Sequence, residues 1–397
     1  MTQDDFTSSY NTIAFPVYVM ARSAGSKCNL NCVYCKYGQT NREKGDNSAE
    51  MNRLVLEQFT RQYIDAQIHS AVKFFWVGGE PLLCGLDFYK DALHFQQKLG
   101  PGKQITNTLQ TNGILLDDEW CSFLKENDFQ LFVTLDGPRH CHDRYRLKED
   151  GSGSFDEVMH GIALLRKYGI KFQIKVTINE YNVQYPLEMY RFFKSNGFRH
   201  IQFIPHISAE NGHITPWSVP GLSYGNFLCT IFDEWVRHDV GQMFISIFEN
   251  TLKIFCRKDA INCMYAPTCG HSAMADSNGD IYACNYFHSP EFRLGNIGDT
   301  TITGMMYGRK QLRFGQQKRS GLSVQCKRCN YLRLCNGGCL KDRLGNSITG
   351  EKHHNVLCAG YQRFFAHVSP AMIFMAEEIA GGGNSSRVMS FFETCQD

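Results

Sequence analysis

The chain has no excess of charge of either sign. Its 41 Lys and Arg stand against 39 Asp and Glu, a net charge of +2 over 397 residues. That balance argues against nucleic acid as a partner, because proteins that bind a polyanion carry a basic excess. Long hydrophobic runs are also missing. No apolar stretch approaches the roughly 20 residues of a membrane-crossing helix, so no membrane partner is expected. The opening segment, MTQDDFTSSYNT, lacks the basic start and apolar core of a secretory leader. A cytoplasmic location is the expectation. Internal repeats are absent beyond an alternation described below. What the chain has in excess is cysteine, seventeen in all. An odd number cannot pair completely within one chain. In a reducing compartment, clustered cysteines point to metal or catalysis rather than to disulfides.

From residue 17 to about 247, short β-rich runs alternate with amphipathic stretches. Strands are predicted over 17–21, 72–77, 105–111, 131–135, 172–177 and 201–204. Helices are predicted over 54–69, 88–98, 117–126, 155–168 and 186–195. This alternation implies an α/β fold, a parallel sheet with helices outside. Six strands with short connections suggest an open or partial barrel, with working residues at the C-terminal strand ends. Residues 208–223 read as a loop, and 224–237 and 247–257 as helices. After about Cys256 the cysteines crowd together. Ser277-Asn278-Gly279-Asp280, between 273–275 and 281–282, is a hairpin signal. Metal, more than a core, is expected to hold this module. A last helix is predicted over 370–379, and the glycine-rich 381–386 reads as a flexible tail. The expected domains are a barrel over 14–247, a cysteine-rich module over 248–370, and a helix with tail over 371–397.

Cys28, Cys32 and Cys35 have the spacing Cys-x3-Cys-x2-Cys in the loop after the first predicted strand. Three thiolates on one loop can hold three irons of a cubane and leave the fourth iron open. A catalytic metal site needs such an open position. A zinc site completed by a distant fourth ligand is the alternative. Further motifs fall at successive strand ends. Gly78-Gly79-Glu80-Pro81 follows the second strand, Gln110-Thr111-Asn112-Gly113 ends the third, and Thr134-Leu135-Asp136-Gly137-Pro138 ends the fourth. Each one alone has a turn or capping role as its alternative.

Taken together, these motifs resemble the radical SAM superfamily. The resemblance implies a 4Fe-4S cluster on Cys28, Cys32 and Cys35. Its open iron binds S-adenosylmethionine (SAM), which is cleaved reductively to a 5′-deoxyadenosyl radical. It also implies cofactor contacts at Tyr34, Gly78, Gly79, Glu80, Thr134 and Asp136. Glu80 and its backbone would hold the methionine amino group, and the Asp136 carboxylate would accept from ribose hydroxyls.

Eight further cysteines lie within one hundred residues: Cys263, Cys269, Cys284, Cys326, Cys329, Cys335, Cys339 and Cys358. Eight is the number two fully ligated cubanes need, and two zinc knuckles are the alternative. The run Cys326-x2-Cys329-x5-Cys335-x3-Cys339 resembles the SPASM module of radical SAM peptide-modifying enzymes. That resemblance, not the spacing, allots Cys263, Cys269, Cys284 and Cys339 to one auxiliary cluster. It allots Cys326, Cys329, Cys335 and Cys358 to the other. Cys84, Cys121, Cys141, Cys229, Cys256 and Cys395 fit no cluster and read as ordinary thiols.

Over residues 16–370 the chain is most similar to the anaerobic sulfatase-maturating enzymes. Asn226-Phe227-Leu228-Cys229 and Cys358-Ala359-Gly360-Tyr361 are among the supporting segments. Such enzymes oxidise a Cys or Ser in a sulfatase C/S-x-P/A-x-R motif to formylglycine. The implied cofactors are three 4Fe-4S clusters and SAM. The implied partners are a sulfatase polypeptide and an external electron donor such as flavodoxin or ferredoxin. Two positions depart from the family. Its proposed base is an Asp directly after an auxiliary-cluster Cys, where this chain has Cys284-Asn285-Tyr286. An amide is not a general base at neutral pH. The residue before the glycine pair is usually Gln or His, and here it is Val77. His288 or His206 could compensate. Modification of a different peptide is the alternative function, and a non-catalytic iron–sulfur adaptor is a third.

Overall fold

Strand β1, Tyr18–Arg22, opens the part of the chain that a computed structural model describes, residues 17–35, 37 and 49–393. The fold divides into two compact units. The first is built from the described parts of Met1–Lys27, Asn47–Leu109 and Gly270–Gly315, the second from those of Cys28–Asp46, Gln110–Cys269 and Gln316–Asp397.

In the first unit, β1 pairs in parallel with β2, Ala71–Val77, placing Ala21 opposite Trp76. β2 pairs in parallel with β3, Gln104–Thr111, placing Trp76 opposite Leu109. Helices α1, Arg53–Asp65, and α2, Gly85–Leu99, complete the strand–helix alternation. Asn52 caps α1 by accepting from the Val55 amide. Phe59, Tyr63, Phe74, Trp76 and Tyr89 are fully buried. The indole of Trp76 donates to Asn107 at 2.9 Å, and Asn107 and Gln96 exchange hydrogen bonds, so this buried polar group is satisfied. The predicted hairpin is present as Ser272–Ala275 and Asp280–Tyr282, followed by Arg293–Asn296. Its first strand runs parallel to β1, with Val19 opposite Ala273. That docking is a long-range pairing that local turn chemistry cannot signal.

In the second unit β4, Gln130–Thr134, β5, Phe172–Ile178, and β6, His200–Pro205, run parallel in that order. Phe244–Ile245 adds a short parallel strand to β6. Helices α3, Asp118–Glu126, α4, Phe155–Lys167, and α5, Pro186–Ser195, alternate with these strands. The expected α/β class therefore holds, as do all six predicted strands to within two residues. The expected loop over 208–223 contains a small hairpin, Ala209–Glu210 with His213–Ile214. Helices α6, Gly221–His238, and α7, Ser246–Phe255, match expectation.

The last long helix does not. It runs Cys358–Ala380, twelve residues longer at its start than predicted, with Pro370 inside it. Proline favours a first helical turn, and that preference misplaced the boundary. The helix forms early because it packs against α6. A Cβ on Gly360 would lie 1.9 Å from the Gly221 carbonyl, and one on Gly225 would lie 2.4 Å from the Gly360 carbonyl. Glycine is what lets these two backbones touch. Where a flexible tail was expected, a 3-10 turn, Ser385–Arg387, leads into a helix, Val388–Glu393. No described helix is long and apolar enough to cross a membrane.

Candidate active site

The Cys28–Cys35 loop is pinned by its backbone. Asn31 N–H donates to the Leu147 carbonyl at 2.7 Å, and Val33 N–H to the Tyr145 carbonyl at 2.9 Å. Leu30, Cys32 and Tyr34, every second residue, turn inward and are buried. Cys28 and Cys35 are half-buried and pack against the same cluster, with Ile114, Tyr145 and Trp217. Asn112 donates to the Cys28 sulfur at 3.8 Å and to Asn29 Oδ1 at 2.7 Å. Such an outer contact orients a ligating thiolate. Among the described residues no three His, Cys, Asp or Glu groups converge on one metal ion. A cubane does not require that, because each thiolate goes to its own iron. Three cysteines on one braced loop therefore fit a cubane better than a single ion.

Behind the loop sits a buried knot around Asp136, which is 1% exposed. Arg146 Nε donates to its Oδ2 at 2.9 Å, and the Thr177 amide to its Oδ1 at 2.8 Å. The Tyr34 hydroxyl donates to Oδ2 as well. The Arg146 guanidinium also lies 5.6 Å from the Tyr34 ring centre. Both carboxylate oxygens are thus engaged by protein, and Asp136 fixes Tyr34 within the cysteine loop. Asp136→Asn would strand the buried Arg146 charge. A loss of about 3–5 kcal/mol is expected, the usual cost of breaking a buried ion pair from one side. A lowered denaturation midpoint checks it.

Gly78 and Gly79 meet the chain just before Cys28. A Cβ on Gly79 would lie 1.8 Å from the Lys27 carbonyl, and one on Gly78 2.6 Å from Arg22 Cγ. The Gly79 amide donates to Gly25 O at 3.0 Å and the Glu80 amide to Lys27 O at 2.7 Å. Glu80, fully buried, caps the turn Pro81–Cys84 through the Leu82 amide at 3.1 Å. The close approach that demands glycine is therefore to residues 22–27. Gly79→Ala should cost about 3 kcal/mol, the upper end for overpacking, and lower the iron retained by the reconstituted protein. Iron analysis alongside thermal melting reads both effects.

Thr134 is buried and donates to the Thr111 carbonyl at 3.4 Å. Sequence reasoning missed several neighbours. Among the described residues, Trp217 Nε1 and Glu180 Oε2 are buried without a hydrogen-bond partner, while Glu180 Oε1 accepts from Tyr145. Lys175 on β5 donates to Gln110 at 2.7 Å, and burial, with Arg146 nearby, pulls its ammonium down to about 8. The signal available for Lys175 was its place on a polar face, Gln173-x-Lys175-x-Thr177, of a strand in a parallel sheet, where both faces are usually apolar.

Of the two histidines offered as substitutes for a base, His206 is pushed down to about 3 by burial, with Lys341 adding to the effect. It packs against Tyr34 at 5.2 Å. His288 faces Arg22 through Nδ1 at 3.3 Å, while Arg22 is paired with Asp276. Arginine can only donate, so that Nδ1 is an acceptor and the ring proton sits on Nε2. His206 is thus a weak base, and the acceptor nitrogen of His288 is already engaged by Arg22. Asn285 is half-buried in the turn that closes with Phe287 N–H to Cys284 O at 3.1 Å. Val77 ends β2 and is buried.

Cys326, Cys329, Cys335 and Cys358 line one cavity, with Tyr331, Tyr361 and Phe365 among its walls. The structure brings together the same four that the resemblance allotted to one cluster. Amides point at the sulfurs: Gly337 N to Cys335 at 3.4 Å, Tyr331 N to Cys329 at 3.4 Å. Hydrogen bonds of this kind tune cluster potentials. Cys263, Cys269 and Cys339 lie within electrostatic reach of the buried Lys318. Cys284 receives the Tyr286 amide at 3.5 Å. No disulfide joins any of the described cysteines. Cys121, Cys141 and Cys229 are buried, Cys84 and Cys256 are half-buried, and Cys395 lies outside the described residues.

The family model of the radical SAM superfamily matches residues 23–193, and that of SPASM, an iron-sulfur cluster-binding domain, matches residues 268–330. The serine-type anaerobic sulfatase-maturating enzyme of Bacteroides thetaiotaomicron is 41% identical over 399 residues, covering 96% of either chain. The cysteine-type enzyme of Clostridium novyi is 29% identical over 368 residues, 91% of this chain and 98% of that one. Among solved structures, native anSMEcpe with bound AdoMet and Cp18Cys peptide superposes with a TM-score of 0.83 at 29% identity, covering 92% of this chain and 100% of that one.

Proposed function

Because the chain belongs to the anaerobic sulfatase-maturating enzymes of the radical SAM superfamily, we propose that it oxidises a Cys or Ser side chain of a sulfatase to formylglycine. Neither another peptide nor an adaptor role is favoured by these relatives. The observation that carries the reading is the presence in one chain of the braced Cys28-Cys32-Cys35 loop and the four-cysteine cavity.

In this reading Cys28, Cys32 and Cys35 hold the SAM-binding 4Fe-4S cluster. Cys326, Cys329, Cys335 and Cys358 hold one auxiliary 4Fe-4S cluster, and Cys263, Cys269, Cys284 and Cys339 hold another. When bound, the first cluster and SAM supply the radical that takes a hydrogen atom from the substrate β-carbon. The chain's own residues hold and shield that chemistry. Leu30, Tyr34 and Tyr145 keep water from the loop, and Asn112 orients Cys28. Gly78, Gly79 and Glu80 brace the segment leading into Cys28 and, with Thr134, border the SAM site. Asp136 acts as a positioning residue, because its oxygens are held by Arg146, Tyr34 and Thr177. Trp217, packed against the cysteine loop, and Glu180 each carry a buried polar atom without a hydrogen-bond partner among the described residues, and these two atoms are candidates to meet SAM or the peptide. Asn285 occupies the proton acceptor's place and accepts a hydrogen bond without taking the proton. An external carrier of the flavodoxin or ferredoxin kind delivers the electron that SAM cleavage consumes.

Anaerobic co-expression with a sulfatase tests the proposal. An active sulfatase with an aldehyde at its target residue is expected. An unmodified sulfatase, with SAM still consumed, would refute it.

A further inference from the structure

Two buried cations lie among the downstream cysteines. Lys318 is 0% exposed, and its ammonium donates to the carbonyls of Cys263 at 2.7 Å and Met264 at 2.8 Å. Its charge acts on the thiols of Cys269, Cys339 and Cys263. Arg343 is 6% exposed. It donates to the carbonyls of Gly337 and Asn336, each at 3.2 Å, and of Gly321 at 3.4 Å. Asn336 and Gly337 belong to the link Cys335-Asn336-Gly337-Gly338-Cys339, whose three central residues all take positive φ. A Cβ on Gly337 would lie 2.6 Å from the guanidinium. Arg343 thus grips the link that joins a cysteine of one set of four to a cysteine of the other. Its charge acts on Cys326 and Cys335 of one set and on Cys269 and Cys339 of the other.

Neither cation has a carboxylate within ion-pair distance among the described residues. Asp342, beside Arg343, is paired with Lys341. Lys318 and Arg343 also repel one another. An unpaired buried cation is expensive, and two that feel each other are more so. The surroundings must supply negative charge. A cubane ligated by four thiolates is an anion, and each added electron makes it more negative, so net charge around it sets its potential.

We propose that Lys318 and Arg343 are the built-in countercations of the two auxiliary clusters, raising their reduction potentials so that they accept the electron given up by the substrate. Lys318 serves the set containing Cys263, Cys269 and Cys339, and Arg343 serves both sets. The step they favour transfers one electron. The substrate carbon radical gives up that electron, a proton leaves the substrate sulfur or oxygen, and an oxidised auxiliary cluster is reduced. Both cations are positioning residues, and the inference rests on the cluster assignment above.

EPR-monitored redox titration of the full, anaerobically reconstituted protein tests it, using Lys318→Gln, Lys318→Met and Lys318→Arg. Lys318→Gln keeps a donor without the charge. Both neutral variants should shift one auxiliary signal to more negative potential, and Lys318→Arg should restore it. The SAM-dependent signal should not move. The ratio of 5′-deoxyadenosine to formylglycine should rise several-fold, because radicals still form but are oxidised more slowly. Arg343→Gln should lower both auxiliary potentials. If the neutral variants lose iron while Lys318→Arg retains it, the charge is needed to hold the anion, and the proposal stands. Retained iron with unmoved potentials would overturn it, as would equal iron loss in all three Lys318 variants, which would make Lys318 a strut. Absence of auxiliary signals from the unsubstituted protein would instead overturn the cluster assignment.

Discussion

Cys32→Ala is expected to abolish formation of 5′-deoxyadenosine while leaving the auxiliary EPR signals in place. Cys32 is the buried member of the three-cysteine loop, at 7% exposure, between Leu30 and Tyr34. Burial pushes its thiol up to about 12, so without a metal Cys32 stays a neutral thiol. With Ala at this position two thiolates remain, too few to hold a cubane with one open iron. Iron should fall from about twelve to about eight per chain. The backbone bonds from Asn31 and Val33 to Leu147 and Tyr145 do not involve the sulfur, so the loop should keep its path. Iron analysis, EPR and chromatography of SAM products check the three parts. Persistent SAM cleavage would show that the cluster is held elsewhere.

Asn285→Asp should raise formylglycine formation by about 10²–10⁴, the usual worth of a positioned base. The residue sits in a tight turn directly after Cys284, and Asn and Asp have nearly the same shape. The change therefore supplies a proton acceptor with little repacking. The gain should be greatest with a serine peptide. A thiol, with a pKa near 8.5, gives up its proton to water far more readily than a hydroxyl does. The unsubstituted enzyme should accordingly favour a cysteine peptide. The rate of 5′-deoxyadenosine formation should be unchanged, because Asn285 acts after the hydrogen atom has left. Initial rates with matched Cys and Ser peptides measure both effects.

Much of this site was legible in the sequence because its chemistry is written in local patterns. The spacing of Cys28, Cys32 and Cys35 survives any fold that keeps the loop. The strands were legible because apolar residues alternate, as in Val72, Phe74 and Trp76. What stayed hidden depends on contacts between distant residues. Arg146 carries no motif, yet it decides what Asp136 does. The parallel docking of Ser272–Ala275 on β1 joins residues some 250 positions apart and has no local signal. Lys318 and Arg343 carry no motif, and only folding buries them beside the cysteines. The long last helix was truncated on paper because Pro370 resembles a start. Grouping eight cysteines into two sets of four could not be decided by spacing and came from the family resemblance, while the fold places Cys326, Cys329, Cys335 and Cys358 around one cavity.

The central claim is that this chain uses SAM to take a hydrogen atom from the β-carbon of a sulfatase residue. The most direct test gives the anaerobically reconstituted protein SAM, a reductant, and a sulfatase peptide deuterated at the β-carbon of its target Cys or Ser. The account predicts deuterium in 5′-deoxyadenosine together with an aldehyde at the target residue. Unlabelled 5′-deoxyadenosine beside an unchanged peptide would contradict it.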